Sequence, residues 1–150
     1  MIGVGNPYRR DDAAGLEVAR RVAAAAIPGV RVHEHDGEPA GLLDLWDGTD
    51  VAYLVDMVVS GAPPGTVHWF DATVLDVPAE RGHSSTHHLS LREAVALARA
   101  LGRMPGRLVL VGIEGRDARA GEGLHPAVDA GVERAARRLR HEVAAPDPLR

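Results

Sequence analysis

Val51-Ala52-Tyr53-Leu54-Val55-Asp56-Met57-Val58-Val59 is the stretch that decides the fold, an apolar run broken only by Asp56. A run of this length and β-branched content is the pattern of a central strand buried on both faces. Toward the N-terminus, residues 30–35 read as a second strand, and residues 11–26 as a helix. That helix sets Ala14, Val18, Val22 and Ala25 on one face and Glu17, Arg20 and Arg21 on the other. Pro28-Gly29 stops it, and residues 1–5 form a strand stub ending in Gly3-Val4-Gly5. After Asp36-Gly37 comes a short helix through Leu42, Leu43 and Leu45.

Toward the C-terminus, residues 61–65 are a turn cluster and 66–70 a further strand. The link is too short for a parallel crossover, so this pair is expected to be antiparallel. Residues 71–88 lack periodicity and read as a loop. Ser90 and Glu93 have the spacing of a capping box, opening a helix with Leu91, Ala94, Val95, Ala98 and Leu101 inside and Gly102 at its end. Residues 107–113 read as a fifth strand, followed by a Gly-rich loop over 114–124. Pro126 starts a last helix with Val128, Val132, Ala135 and Leu139 facing the core, and the tail from about 145 is expected to fray. Strands alternating with helices predict one α/β domain over 1–150, an α/β/α sandwich. Its mixed, mostly parallel five-stranded sheet has four strands parallel and the 66–70 strand opposed.

The 150 residues suffice for a single core, and 45% hydrophobic with 25% charged residues is ordinary globular composition. Two absences narrow the chemistry. Without cysteine there is no thiol nucleophile, disulfide or thiolate metal site, and with all 17 basic residues arginine there is no P-loop or Schiff-base lysine. A net charge of −4 and 3% aromatics argue against nucleic acid as a partner. Nothing in the sequence reads as a membrane span or signal peptide, so a cytoplasmic, monomeric protein is expected.

In open α/β sheets the ligand site lies beyond the C-terminal strand ends. That rule selects residues 6–12, 36–38, 56–60 and 114–123. Gly3-Val4-Gly5 is a partial dinucleotide fingerprint, but Tyr8 stands where the third glycine belongs, which disfavours a nucleotide-binding module. Asp11-Asp12 suits a helix start, where one aspartate suffices for a cap and the other is left over. Asp56 within an apolar run is a costly charge unless paired or bound to a cation. His83, His87 and His88 cluster within six residues. One of them with Asp12 and Asp56 would offer two oxygens and one nitrogen, a set that suits a borderline divalent ion. There is no His-Glu-x-x-His helix and no Gly-x-Ser-x-Gly elbow.

The run Gly3-Val4-Gly5-Asn6-Pro7-Tyr8-Arg9-Arg10-Asp11-Asp12-Ala13-Ala14-Gly15 resembles the opening motif of the nickel–iron hydrogenase maturation endopeptidases. Four more stretches agree in order and spacing: Asp36-Gly37-Glu38-Pro39-Ala40-Gly41, Leu54-Val55-Asp56-Met57-Val58, Ser85-Thr86-His87-His88-Leu89, and Val111-Gly112-Ile113-Glu114 followed by Gly123-Leu124-His125-Pro126. The resemblance implies removal of a C-terminal peptide from the nickel-loaded precursor of a hydrogenase large subunit. It puts the metal and catalytic positions on Asp12, Asp56 and His87, with Asn6 and Asp36 as secondary, substrate-side residues. The nickel would arrive in the substrate. Two departures stand out: Met1 and Ile2 are a short lead into the first glycine, and Glu38 stands where many relatives have glycine. A non-catalytic factor that binds nickel or precursor on the same fold is the alternative.

Overall fold

The computed structural model describes residues 1–77 and 86–145, without the side chains of 86–90. Five strands, β1 (Ile2–Val4), β2 (His33–His35), β3 (Val51–Val58), β4 (Val67–Asp71) and β5 (Arg107–Glu114), form one sheet in the order β2-β1-β3-β5-β4. β1, β2, β3 and β5 run parallel and β4 is antiparallel to β5. The central strand is β3, which pairs with β5 from Val51–Arg107 through Val58–Glu114.

Side chains alternate across this sheet with period two, and both sets are apolar because both faces are covered. Ala52 and Leu54 of β3 with Leu108 and Leu110 of β5 pack beneath α2 (Pro39–Trp46) and α3 (Thr86–Leu101). Tyr53, Val55 and Met57 with Val109, Val111 and Ile113 pack on the other face, beneath α1 (Ala14–Ala23) and α4 (Pro126–Ala144). The continuous apolar reading of 51–59 thus resolves into two interleaved half-cores. By the same alternation Asp56 belongs to the α2/α3 face.

Several local expectations are corrected. The 66–70 strand is opposed to β3, as expected, yet it does not pair with it. β5 occupies the place beside β3, and β4 takes the outer side of β5. A short link fixes direction, whereas neighbour choice goes to the longer register available between β3 and β5. The first helix opens as a 3₁₀ turn (Arg10–Ala13) and becomes α-helical only at Ala14. Ala25 lies beyond its end and is exposed. β2 is confined to three residues of the expected six.

α3 begins at Thr86, before the Ser90–Glu93 pair, so those residues lie within the helix rather than at its cap. Leu101 at its end is exposed. The remaining core faces agree: Val128, Val132, Ala135 and Leu139 of α4 are all buried. His83, and the tail beyond 145, lie outside the described residues.

Glycine lets the first motif sit down on the strand ends. A Cβ on Gly15 would collide with the carbonyls of Val4 and Val55, and one on Gly5 with the carbonyl of Asp12. Only hydrogen at these two positions allows α1 and the 3₁₀ turn before it to lie directly over β1 and β3.

Candidate active site

Four of the sequence-selected residues come to the C-terminal edge of the sheet from different elements. Asn6 follows β1, Asp12 lies in the 3₁₀ turn, Asp36 follows β2, and Asp56 occupies β3. The 3₁₀ turn packs against β3, which brings Asp12 to the strand bearing Asp56. Both carboxylates are buried, Asp12 at 1% and Asp56 at 4% exposure. Asp56 Oδ1 accepts a hydrogen bond from the Met57 amide at 2.8 Å. Asn6 makes a tight local turn, its Oδ1 accepting from the Tyr8 amide at 2.9 Å. Its own amide donates to the Asp12 carbonyl at 3.3 Å, so the first motif closes on itself around Asp12.

Asp36 is different in kind. Its side chain is 81% exposed, and Oδ1 accepts from the Glu38 amide at 3.0 Å. Glu38 has a structural reason of its own. It is the N-cap of α2, accepting from the amides of Ala40 and Gly41, each at 2.8 Å. Glu38 thus fixes the start of the helix that follows the Asp36 loop.

His87 lies in the first turn of α3, the helix covering the face to which Asp56 belongs. The side chains of His87 and His88 are outside the described residues. Among the described residues no group of three His, Asp or Glu is placed to hold a metal ion. Of the expected donors, the structure describes the side chains of Asp12 and Asp56, both buried, and only the backbone of His87.

Two buried acids at this edge, Asp11 and Glu114, fall in segments selected from the sequence but were given no role of their own there. Asp11, fully buried, does not cap the helix: no side chain caps the 3₁₀ turn. Instead its Oδ2 accepts from the amides of Arg116 and Asp117 and its Oδ1 from that of His125, all at 2.8 Å. Glu114, at the end of β5 and 1% exposed, accepts from the Ser60 and Gly61 amides and the Ser60 hydroxyl at 2.7–3.0 Å. His68 Nε2 lies 3.1 Å from its Oε2. Its signal was present in the sequence, a lone charge closing an apolar strand, the same signal that singled out Asp56.

On the rim, Asp117 is gripped by Arg119 through two side-chain contacts of 2.8 and 2.9 Å. That guanidinium and the Arg119 amide hold its carboxyl far below the usual carboxylate range. Asp117 therefore stays ionised throughout ordinary assay conditions.

The model of the hydrogenase maturation protease family (HycI) matches residues 37–142, more than half of the chain. The chain belongs to the hydrogenase maturation protease family. Hydrogenase 2 maturation protease of Escherichia coli strain K12 is 31% identical over 137 residues, covering 89% of this chain and 82% of that protein. The hydrogenase expression/formation protein HupD of Rhodobacter capsulatus is 29% identical over 149 residues, 93% of this chain and 70% of that one. Among solved structures, the E. coli hydrogenase maturating endopeptidase HybD superposes with a TM-score of 0.74 at 27% identity, covering 95% of this chain and 89% of its own. Among the described residues no helix is long and apolar enough to cross a membrane.

Proposed function

We propose that this maturation endopeptidase removes the C-terminal peptide from a nickel-loaded hydrogenase large-subunit precursor, with Asp12, Asp56 and His87 as its working constellation. The observation that carries the reading is that the 3₁₀ turn bearing buried Asp12 packs against β3, the strand that bears buried Asp56. Two carboxylates and an imidazole are donors that fit a borderline divalent cation such as the nickel brought by the substrate. When bound there, a cation would polarise the scissile carbonyl and make water more acidic. If the cation serves recognition alone, Asp12 or Asp56 is instead the general base toward the attacking water, a role worth about 10²–10⁴-fold in rate.

Asn6 spends its side-chain oxygen on the Tyr8 amide, so its NH₂ is the group it offers a substrate carbonyl. Asp36, exposed at the same edge, accepts from substrate amides. The enzyme works as a cytoplasmic monomer on a protein substrate, with neither nucleic acid nor membrane as partner.

The test is incubation with nickel-loaded precursor followed by intact mass measurement. A single cut that shortens the precursor at its C-terminus is expected. A precursor that binds and stays whole overturns the enzymatic reading in favour of a non-catalytic maturation factor.

A further inference from the structure

We propose that Asp11 is a positioning residue of this peptidase site: its carboxylate clamps the β5–α4 loop onto the first motif and so fixes the turn that presents Asp12. The inference rests on the proposed function only for what Asp12 does, and on geometry for the clamp itself.

Asp11 is completely buried, and its two oxygens gather three amides from residues 116, 117 and 125. A buried carboxylate is tolerated when donors replace its water, and three short N–H bonds do that here. Backbone bonds continue the clamp on either side. The Arg10 amide donates to the Gly121 carbonyl at 3.0 Å and the Asp11 amide to that of Asp117 at 2.9 Å. The Gly121 amide donates back to Tyr8 at 2.8 Å. Arg9 Nε reaches the Ala118 carbonyl at 3.1 Å, and the Arg10 guanidinium stands 3.7 Å from Asp117.

What makes this clamp more than a brace is the backbone it holds. Arg10 has φ +45°, a left-handed conformation disfavoured for a side chain of its kind. Such a conformation persists where surrounding contacts over-determine it. It lies two residues before Asp12, whose amide bonds the Arg9 carbonyl at 3.0 Å across that turn. Releasing the β5–α4 loop lets the turn relax, and Asp12 shifts while the sheet stays intact.

Asp11→Asn is the discriminating change. An amide side chain can keep its oxygen toward residues 116 and 117, but its NH₂ then faces the His125 amide, donor against donor. Two readouts decide. By amide exchange, wild-type residues 116, 117 and 125 exchange slowly. In the variant residues 9–12 lose protection, while Val55 and Leu110 in the sheet keep theirs.

In precursor cleavage, kcat falls roughly 10- to 100-fold with KM little changed, as expected when a reacting group is misplaced. Leu139→Ala, a core cavity under α4 away from the site, serves as a destabilised control assayed where both variants are folded. Rapid exchange of 116, 117 and 125 in the wild type overturns the clamp even if the variant fails to fold. A kcat no lower than that of Leu139→Ala reduces Asp11 to a structural residue and overturns the proposal. A wild-type chain that leaves precursor whole overturns the proposed function instead, and the exchange arm still decides whether Asp11 fixes the turn.

Discussion

The two sides of the sheet's C-terminal edge are built on opposite plans. On the β3–β5 side, Asp11 and Glu114 are buried and collect hydrogen bonds from two different loops, tying each to the strand ends. On the β2 side, Asp36 stands 81% exposed on a loop that is fixed from behind by Glu38 at the start of α2. Several amides converge on Asp11 and on Glu114, which makes each a strut, whereas Asp36 accepts from the Glu38 amide and faces outward. Composition does not separate them, since all three are carboxylates near strand ends.

The strongest way to break that distinction is to remove the charges of the buried pair Asp12 and Asp56. Asp12→Asn and Asp56→Asn keep size and are expected to cut precursor cleavage by about 10²–10⁴-fold with melting temperature largely kept. His87→Ala should likewise abolish processing while His88→Ala retains most of it. The reverse order for the two histidines moves the assignment by one residue.

Next in size is the strut Glu114. Glu114→Ala leaves the Ser60 and Gly61 amides and His68 without their acceptor. It should cost about 3–5 kcal/mol of unfolding free energy in denaturant titration, with Glu114→Gln losing about 1–3 kcal/mol. A stability loss under about 0.5 kcal/mol for Glu114→Ala would show that its hydrogen bonds do not hold the turn.

Asp36→Asn sharpens the comparison from the other side. It should lower cleavage severalfold while the melting temperature stays put, because an exposed carboxylate carries little folding energy. Loss of helix α2 stability belongs instead to Glu38→Ala, at about 0.5–2 kcal/mol.

The smallest effect is a pH term at the other end of β4. The hydroxyl and amide of Thr73, with Arg107, hold the Asp71 carboxyl below its ordinary 3.8. The unfolded chain therefore takes up a proton before the folded one does as pH falls. Asp71 stabilises the fold above about pH 3.8, and that contribution fades as pH drops toward its folded value. Asp71 is partly exposed, so screening limits the term to under about 1 kcal/mol. Asp71→Asn should flatten the acid limb of the stability curve slightly. An unchanged limb would show the Thr73 cap to be without energetic weight.

The fold was legible because its strongest signals are long. The 51–59 run and the helical stripes of α1, α3 and α4 each involve many residues agreeing on one period. Failures came where one or two residues had to decide. Chain continuity told the direction of β4 and not its neighbour. The Ser90–Glu93 spacing suits a cap and suits a helix interior equally, and the helix that contains it starts at Thr86.

In the site, Asp56 was legible because a charge inside an apolar run has to be explained. The adjacent Asp11 and Asp12 were not separable, since the amides that distinguish them come from residues 116–125, more than a hundred positions away.

The strand order has one more consequence, for how the molecule meets copies of itself. Its outermost strands are β2, three residues reading His33-Glu34-His35, and β4, five residues with Arg138 laid over the Trp69 ring at 3.8 Å. Glu34 is engaged by Arg20 from α1 at 2.7 Å. Short outer strands dressed with ionisable and cationic groups are poor templates for recruiting a further strand. The long, apolar, aggregation-prone segments, β3 and β5, are paired with each other and shielded by a neighbour on either flank. A chain with nearly half its residues hydrophobic thereby carries its stickiest sequence where another molecule cannot reach it.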